Sequence, residues 1–284
     1  MPRRWCAVTE APFRYPESQM ATIEVFRNRW ALVTGASAGI GVALARELAS
    51  RGAKLILTAR RKERLEALAA ELGGRGTEVR VVVADLMDPA GPQKIYDETE
   101  AAGIAIDILI NNAGLGRFGA FHANPMEQEL GQVRVNCEAM VHVSRLFLPH
   151  MVERGRGWML VTASTASFQP VPYISTYAAT KAFDRFFALG VAQEVGRYGV
   201  KVTALCPGPT ESEFFEVAGA EVFRKRGVQS AEAVARLGID GLARGKRTVV
   251  PRASGRVTAF AVRFLPVGVV TWFVERAARP ALPR

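Results

Sequence analysis

The chain is poor in cysteine and histidine, with three of each among 284 residues, and it has no long uncharged apolar run. Cys6, Cys137 and Cys206 are too few and too scattered for a disulfide framework, which favours a reducing, cytosolic setting. The apolar stretch 264–274 is eleven residues long, whereas about 20 are needed to span a bilayer. We therefore expect no transmembrane helix, and no metal site is predicted.

The pattern of a secretory signal is also missing, because four arginines and several prolines interrupt residues 1–28, where an apolar segment would lie. We expect these residues to form an N-terminal arm. Met20 opens the segment that leads into the first predicted strand, so the hypothesis for residues 1–19 is an appendage or an overlong start.

Short apolar runs alternate with segments of helical spacing over most of the chain. Seven strands are predicted, at residues 30–33, 54–58, 79–84, 106–110, 158–162, 201–205 and 248–250. Helices are predicted at 40–50, at 61–72, from Pro89, at 125–151 and at 174–197. Strands that are apolar on both faces and joined by crossover helices form a parallel sheet covered on both sides. The fold class is therefore α/β, with a doubly wound sheet in three layers over residues 29–252.

A glycine-rich turn separates the first strand from its helix and reads TGASAGIG over residues 34–41. Glycines allow a tight turn and a close approach of the backbone to a pyrophosphate, which the following helix N-terminus binds. The predicted contacts are Gly35, Ser37, Gly39, Ile40 and Gly41. Their Gly-x3-Gly-x-Gly spacing departs from the usual dinucleotide fingerprint, Gly-x-Gly-x2-Gly, so taken alone it also fits an ordinary glycine turn.

About twenty residues beyond this turn, the chain lacks the Asp or Glu that would bind the ribose 2′-hydroxyl of NAD(H). The sequence there is LTARRK, residues 57–62. Arg60 can form a charge-assisted pair with a 2′-phosphate, with help from Arg61, which favours NADP(H) over NAD(H). The alternative is that these cations belong to a solvated helix start.

A tyrosine and a lysine, Tyr177 and Lys181, stand four residues apart on one face of the predicted helix 174–197. A nearby cation stabilises a phenolate and lowers the pKa of a tyrosine from its usual value of about 10. Ser164 follows the predicted strand 158–162, at the edge of the sheet where ligands bind, and its hydroxyl can hold a carbonyl oxygen. Taken alone, a Tyr-x3-Lys pair is more often an ordinary surface pair.

The ordered set of the glycine turn, NNAG at 111–114, Asn136, Ser164, Tyr177 and Lys181 resembles the short-chain dehydrogenase/reductase family over residues 29–250. The resemblance implies a Rossmann fold with strand order 3-2-1-4-5-6-7, a nicotinamide cofactor and hydride transfer at a carbonyl or alcohol carbon. It makes Tyr177 the general acid or base, and Lys181 the group that holds the nicotinamide ribose and depresses the pKa of Tyr177. Ser164 would polarise the carbonyl, and Asn136 would hold a relay water.

Further cofactor contacts are implied by the same resemblance. Those that meet the adenine are Asp85 and Leu86; those on the adenosine ribose side are Asn112, Ala113 and Gly114; those near the nicotinamide are Pro207, Gly208 and Thr210. Where the family usually has Thr, this chain has Ser212, which keeps a hydroxyl. Cys137 and Cys206 are interpreted as packing residues, since no basic partner lies near them in sequence.

Three aromatic, apolar segments are candidates for the substrate side: residues 115–121, 168–173 and 214–223. A pocket lined by them would suit a bulky hydrophobic ketone, aldehyde or acyl group, whereas ordinary core packing of the phenylalanines is the alternative. The leading function is an NADP(H)-dependent carbonyl reductase or alcohol dehydrogenase. A 3-oxoacyl thioester reductase is a close variant, and a catalytically silent NADP(H)-binding sensor or scaffold is the alternative from another class. Nucleic-acid binding lacks any recognition motif.

The net charge of +10 is concentrated at the C-terminal end. Residues 244–284 hold nine Arg and Lys against one acid, Glu275, a balance of +8, so the other 243 residues total +2. Within residues 253–284 two short amphipathic helices are predicted. They are expected to make contacts within a homodimer or homotetramer or to pack over the pocket; the alternative is peripheral membrane attachment, with arginines on lipid phosphates. The expected localisation is cytoplasmic, or membrane-associated in that case.

Overall fold

In a computed structural model of the chain, residues 24–219 and 228–279 are described. They form a parallel sheet of seven strands in the order β3-β2-β1-β4-β5-β6-β7, as the family resemblance implies. The strands are β1 (Trp30–Thr34), β2 (Lys54–Ala59), β3 (Val79–Val83), β4 (Ile106–Asn111), β5 (Gly157–Thr162), β6 (Val200–Leu205) and β7 (Thr248–Val249). Every predicted strand is confirmed, with ends that differ by at most one residue.

The described helices connect the strands and extend beyond the last of them. They are α1 (Gly39–Ser50), α2 (Lys62–Gly73), α3 (Gly91–Asp97), α4 (Met126–Val133), α5 (Met140–Glu153), α6 (Ser175–Val195), α7 (Phe214–Ala218), α8 (Ala231–Ala243), α9 (Ala253–Ala261) and α10 (Val267–Ala278). The predictions at 40–50, 61–72 and 174–197 correspond to α1, α2 and α6.

Alternate strand residues cover the two faces of the sheet. On one face, Val33 and Leu57 belong to a buried cluster with side chains of α1, α2 and α8. On the other face, Leu32 and Ile56 belong to a second cluster with side chains of α3, α5 and α6. Burial of one such side chain contributes roughly 1.5–3 kcal/mol, so both helical layers are firmly tied to the sheet. The predicted doubly wound α/β fold in three layers is confirmed.

The start of α3 differs from the sequence prediction. The helix begins at Gly91, with Pro92 at the early position that tolerates proline, and not at Pro89. Residues 88–91 form a turn in which the Asp88 carboxylate accepts the Ala90 N–H at 2.9 Å. An Asp side chain that bonds the backbone two residues on competes with helix formation. The predicted helix start at Pro89 is therefore wrong.

The single helix predicted at 125–151 is divided into α4 and α5, whose helical registers differ. Between α4 and α5 lies a π-helical segment, Arg134–Ala139, in which one extra residue is accommodated without breaking the helix. Such segments occur frequently at functional sites. Asn136 lies within it and is buried.

The two ends of the chain are described in part. Residues 1–23, which hold Cys6 and most of the predicted arm, lie outside the described residues. Within the last part of that arm, Phe26 is fully buried and packs edge to face on Trp158, with ring centroids 5.7 Å apart. At the other end, α9 and α10 are the two short helices predicted in 253–284. Across 24–219 and 228–279, every helix is too short or too polar to cross a membrane.

Candidate active site

A cavity of about 660 Å³ opens where the central strands of the sheet end. Open α/β sheets bind ligands at this edge, and the volume is that of a small-molecule site. The predicted site residues that line it are Gly35, Ser37, Gly39, Ile40, Arg60, Asp85, Leu86, Asn112, Ala113, Gly114, Ser164, Tyr177, Lys181, Pro207, Gly208 and Thr210. The other two, Gly41 and Asn136, lie outside the lining of the cavity.

The glycine turn needs its glycines for two different reasons. Gly35 and Gly39 have φ values of 67° and 52°, which side chains rarely adopt. A Cβ on Gly41 would lie 2.2 Å from the carbonyl oxygen of Gly35, so Gly41 supports the turn from behind. The turn thus presents bare backbone to the cavity at the start of α1, and this cradle fits a pyrophosphate.

Thr34, which the sequence analysis missed, joins the glycine turn to the NNAG segment. Its hydroxyl oxygen accepts the N–H groups of Asn112 at 2.9 Å and Ala113 at 3.0 Å, and donates to Ile110 O. The Asn112 side chain donates to Thr34 O at 3.0 Å. These bonds hold both cofactor-facing loops in one position, and the place of Thr34 at the start of the TGASAGIG motif is the signal that could have indicated its role.

The two arginines beyond β2 have different surroundings. The Arg60 side chain is 60% exposed, and its Nε lies 3.9 Å from the nearest Asp85 oxygen, which is a loose contact. Arg61 is engaged instead, because it donates to the Ser37 hydroxyl at 3.1 Å and to the Glu213 carboxylate at 2.9 Å. Arg60 and Ser37 both line the cavity, so a cation and a hydroxyl of the kind that binds phosphate are present there.

Ser164 and Tyr177 both line the cavity. Ser164 follows β5 by two residues, and its Oγ accepts the Ala166 N–H at 3.1 Å, which fixes the side chain. The Ser164 hydroxyl lies near enough to Tyr177, which belongs to α6, to lower the pKa of the phenol. The Phe214 ring packs on the Tyr177 ring with centroids 5.2 Å apart. The two hydroxyl groups therefore face a space in which a carbonyl oxygen could accept from both.

Lys181 is almost fully buried and is held by two partners. Its Nζ donates to Thr162 O at 2.8 Å and to Asp184 Oδ2 at 2.9 Å. Burial opposes the charge of Lys181, but Asp184 and Tyr177 outweigh it and hold the pKa of Lys181 above its ordinary value. The sequence analysis missed Asp184, although its position three residues after Lys181 on the same helix is a readable signal.

The phenol of Tyr177 is harder to ionise than the sequence pattern suggests. Burial raises the pKa of Tyr177, while Lys181 and the hydrogen bond with Ser164 counteract this only in part. The negative charge of Asp184 acts in the same direction as burial. Lys181 therefore lowers the pKa of Tyr177 as expected in sign, but the net shift in the protein alone is upward.

Asn136 lies beside Lys181 but does not face the cavity. Its side chain accepts the Leu115 N–H at 2.8 Å and donates to Leu115 O and to Thr180 Oγ1, each at 2.9 Å. A Cβ on Gly114 would meet Lys181 Nζ at 3.3 Å and Asn136 Oδ1 at 3.4 Å, so both groups flank that glycine. Asn136 thus holds the loop between β4 and α4 against α6.

The loop after β6 completes the cofactor side of the cavity. Pro207 O accepts the Thr165 N–H at 2.8 Å, and the Thr210 hydroxyl donates to Gly208 O at 2.9 Å. The Ser212 hydroxyl donates to Thr210 O at 3.2 Å, and Ser212 also lines the cavity. These bonds fix the loop between the glycine turn and Ser164.

The described cysteines are poor nucleophiles. Burial raises the pKa of Cys137 to about 12 and that of Cys206 to about 11. Cys206 is buried in the core, as interpreted from the sequence, whereas Cys137 is half-buried. Within residues 24–219 and 228–279, no three His, Cys, Asp or Glu side chains come together as a metal site would require.

Known proteins share the sequence and the fold of this chain. The relatives include the very-long-chain 3-oxoacyl-CoA reductase of Anas platyrhynchos, 35% identical over 185 residues, which are 63% of this chain and 58% of that protein. The NADP-dependent 3-hydroxy acid dehydrogenase of Salmonella typhi is 37% identical over 178 residues, 62% of this chain and 71% of that protein. A short-chain dehydrogenase from Sphingobium yanoikuyae in complex with NADPH matches with a TM-score of 0.76 and 32% identity, over 82% of this chain and 92% of that one.

The family model described as short chain dehydrogenase matches residues 29–222, well over half of the chain. The chain spans about three fifths of the length of the very-long-chain reductases that it matches. Residues 29–222 contain the glycine turn, the NNAG segment, Ser164, Tyr177 and Lys181. With the strand order and these side chains in place, the chain belongs to the short-chain dehydrogenase family.

Proposed function

We propose that the chain is an NADP(H)-dependent oxidoreductase that transfers a hydride between the nicotinamide and a carbonyl or secondary alcohol carbon of a hydrophobic small molecule. The observation that carries this proposal is the convergence of Ser164, Tyr177 and Lys181 on the cavity that the glycine turn also lines. A protein that only binds the dinucleotide needs the turn, but it needs neither the phenol nor the hydroxyl beside it.

In reduction, the chemistry that a bound nicotinamide supplies is a hydride to the carbonyl carbon, while Tyr177 donates the proton to the carbonyl oxygen. The Ser164 hydroxyl holds and polarises that oxygen, because its position is fixed by the Ala166 N–H. Lys181 stabilises the phenolate left behind and would hold the nicotinamide ribose. In oxidation Tyr177 is the base. Asn136 keeps the loop beside Lys181 in place, where a relay water would return the proton.

Arg60 is proposed to select NADP(H) over NAD(H), since its exposed guanidinium is only loosely paired with Asp85. A charge-assisted hydrogen bond is worth roughly 1.5–3 kcal/mol, or about 10–100-fold in binding. We expect Arg60→Asp to lower the ratio of catalytic efficiencies with NADPH and NADH at least tenfold. The matched control is Lys62→Asp, because Lys62 is similarly exposed at 62%, lies outside the cavity lining and pairs with Glu66 on its own helix. An unchanged ratio in Arg60→Asp would remove this arginine from cofactor recognition.

The substrate side of the cavity is largely apolar. Each of the three predicted segments contributes lining residues, among them Leu115, Val171 and Phe214. Ordinary core packing, the alternative, applies to part of the first two segments, because Phe118 is buried beside Tyr173 and Phe168 packs on the second core cluster. Residues 220–223 of the third segment lie outside the described residues. The lining supports a bulky hydrophobic carbonyl substrate in preference to a small charged acid.

A 3-oxoacyl thioester reductase is a second candidate, favoured by the match to very-long-chain 3-oxoacyl-CoA reductases at 35% and 33% identity. It requires the same Ser164 and Tyr177 chemistry. A screen of NADPH oxidation against ketones, aldehydes and 3-oxoacyl thioesters of increasing chain length separates the two, because the thioester enzyme would accept only the last class.

The silent sensor or scaffold is tested by Tyr177→Phe. We expect a loss of turnover of at least about 100-fold with NADPH binding retained, since a general acid contributes roughly 10²–10⁴-fold. Tyr198→Phe is the matched control, because Tyr198 is an exposed tyrosine outside the cavity. Substantial activity in Tyr177→Phe would overturn the mechanism, and no activity of the unaltered enzyme on the whole panel would favour the sensor.

The enzyme is also proposed to work in the cytoplasm as a homodimer or homotetramer. Supporting this, the adjacent helices α4 and α6 expose large apolar side chains, Leu130 and Val133 on one and Phe183 and Phe186 on the other. Such a surface fits a symmetric contact with a second copy. Light scattering coupled to gel filtration should give an oligomer for the unaltered protein and a smaller species for Phe183→Ser/Phe186→Ser. The membrane contact of the C-terminal extension is a separate proposal.

A further inference from the structure

The C-terminal helix pair, defined as residues 253–278 with α9, α10 and the turn between them, exposes its large apolar side chains. Val257, Phe260, Phe264, Val267 and Phe273 are 61–72% exposed. The apolar side chains that it buries are Ala259, Val270 and Ala278. A surface helix of a globular protein normally does the reverse, since its large apolar residues face the core. The pair is therefore held by its small residues and leaves its large ones uncovered within the described chain.

These exposed side chains form groups and are not scattered. On α9 and the following turn, Val257, Phe260 and Phe264 recur at helical spacing, and the rings of Phe260 and Phe264 lie 5.1 Å apart. On α10, the rings of Trp272 and Phe273 are 4.8 Å apart. Single exposed apolar residues are ordinary, but contiguous exposed aromatic groups mark an interaction surface.

Arginines predominate among the charged side chains of the helix pair. Arg256, Arg263 and Arg276 are exposed, and the Arg276 guanidinium lies over the Trp272 ring at 5.5 Å. The one acidic side chain of residues 244–284 is Glu275. Its Oε1 accepts from the Tyr173 hydroxyl at 2.7 Å and from Arg279 at 2.6 Å. The surface thus offers an aromatic and aliphatic centre with three exposed arginines beside it.

We propose that the C-terminal helix pair docks on the surface of a lipid bilayer that contains anionic phospholipids. Aromatic side chains are favoured at the level of the headgroups, and aliphatic ones enter the acyl boundary. The arginines would pair with lipid phosphates, and each basic residue near an anionic surface strengthens binding about fivefold. Neither helix needs to cross the bilayer for this contact.

A second copy of the chain fits this surface less well than a bilayer does. In a twofold contact the patch meets a copy of itself, so its net positive charge would face the same net positive charge. Like charges brought together in this way cost free energy, and one acidic residue that is already paired with Arg279 does not balance three arginines. Anionic headgroups supply the opposite charge at high density.

The inner side of the same helices lines the catalytic cavity. Gly255 and Thr258 of α9 and Val274 of α10 face the cavity that Tyr177 also lines. Docking would therefore place the substrate side of the cavity next to the lipid, where a hydrophobic carbonyl compound is concentrated. This consequence rests on the proposed function, whereas the docking itself does not.

The test is flotation of the full chain with vesicles of phosphatidylcholine alone or with phosphatidylglycerol added at about a third of the lipid. We expect strong, salt-sensitive binding to the anionic vesicles only. Phe264→Ser/Trp272→Ser and, separately, Arg256→Ser/Arg263→Ser should each reduce that binding at least tenfold with unchanged unfolding temperature. The control is Phe121→Ser/Tyr198→Ser, which removes two exposed aromatic side chains that lie outside both the helix pair and the surface proposed for oligomer contact, and which should bind vesicles as the unaltered protein does.

Three results would overturn the proposal. The first is negligible or equal flotation of the unaltered protein with both kinds of vesicle. The second is an equal loss of binding in Phe121→Ser/Tyr198→Ser, which would mean that any exposed aromatic residue suffices. The third is a change of oligomeric state in Phe264→Ser/Trp272→Ser, measured by light scattering, without a change in flotation, which would assign this surface to a second copy. None of these readouts depends on catalytic activity.

Discussion

The buried ion pair between Lys181 and Asp184 allows a quantitative prediction about stability. Both side chains are nearly inaccessible to water, at 5% and 2% exposure, and their charged atoms are 2.9 Å apart. Removal of one partner from such a pair costs about 3–5 kcal/mol, because an uncompensated charge stays buried. In Asp184→Asn the Lys181 ammonium still donates to Thr162 O and can donate to the amide oxygen of the new asparagine. We therefore expect a loss at the lower end of this range, about 3 kcal/mol of unfolding free energy. For a chain of this size, that lowers the midpoint of thermal unfolding by roughly 6–12 °C.

The double variant Lys181→Met/Asp184→Leu provides the control, since it removes both charges and fills the same space. Replacement of a whole buried pair by apolar side chains is often neutral or stabilising, so its free energy of unfolding should lie within about 1 kcal/mol of that of the unaltered protein. Denaturant unfolding followed by circular dichroism at pH 8 gives all three values. Burial raises the pKa of Asp184. Because the folded pKa lies above the unfolded one, the native state takes up the proton first, so the unaltered protein gains stability as the pH falls through that interval, and its gap to Asp184→Asn, which has no carboxyl there, should widen. A gap below about 0.5 kcal/mol at pH 8, or a double variant as unstable as Asp184→Asn, would refute the reasoning.

Three further predictions concern the turn, the phenol and the core. Gly41→Ala places a methyl group 2.2 Å from Gly35 O, so NADPH should bind at least tenfold more weakly in a fluorescence titration, and unchanged binding would contradict the cradle. Because burial raises the pKa of Tyr177, kcat/KM for alcohol oxidation should still rise between about pH 7 and 9, while that for carbonyl reduction stays level; a plateau in oxidation at neutral pH would argue against Tyr177 as the base. Phe26→Ala removes a buried ring from Trp158 and should cost about 3–5 kcal/mol in unfolding experiments, whereas a smaller effect than about 1 kcal/mol would show that the segment before β1 is dispensable.

Hydrophobic periodicity predicted the sheet because its strands are buried on both faces, as Leu32 and Val33 show by packing on opposite layers. Such strands are continuous apolar runs, so they can be predicted without knowledge of the strands beside them. The start of α3 could not be predicted in this way, since it depends on whether the Asp88 carboxylate accepts a hydrogen bond from the backbone. The π-helical segment could not be predicted from the sequence either, because it changes the register of the helix and not its amino-acid composition.

The candidate site was predictable where short motifs carry the chemistry, as at Ser164, Tyr177 and Lys181. It was not predictable where a partner is distant in sequence. Glu213 accepts a hydrogen bond from Arg61 at 2.9 Å, although the two residues are 152 positions apart in sequence. Arg61 is therefore engaged and Arg60 is not, a difference that their adjacent positions in the sequence do not show. The exposure of Phe260 is a further example, since an amphipathic pattern shows that a helix has an apolar face but not what that face meets.

Because of the π-helical segment, the position of Asn136 depends on the number of residues between α4 and α5. Each residue of an α-helix advances the chain by about 100°, so the loss of any one residue from Arg134–Ala139 would rewind it as α-helix. The face of α4 would then turn by that angle relative to α5, and Asn136 would no longer reach Leu115. Substitutions here change one side chain at a time, whereas a single-codon deletion would displace the loop beside Lys181 as a whole. Lineages that keep the catalytic chemistry should therefore keep Asn136 and the number of residues in this segment, while its other positions vary in sequence.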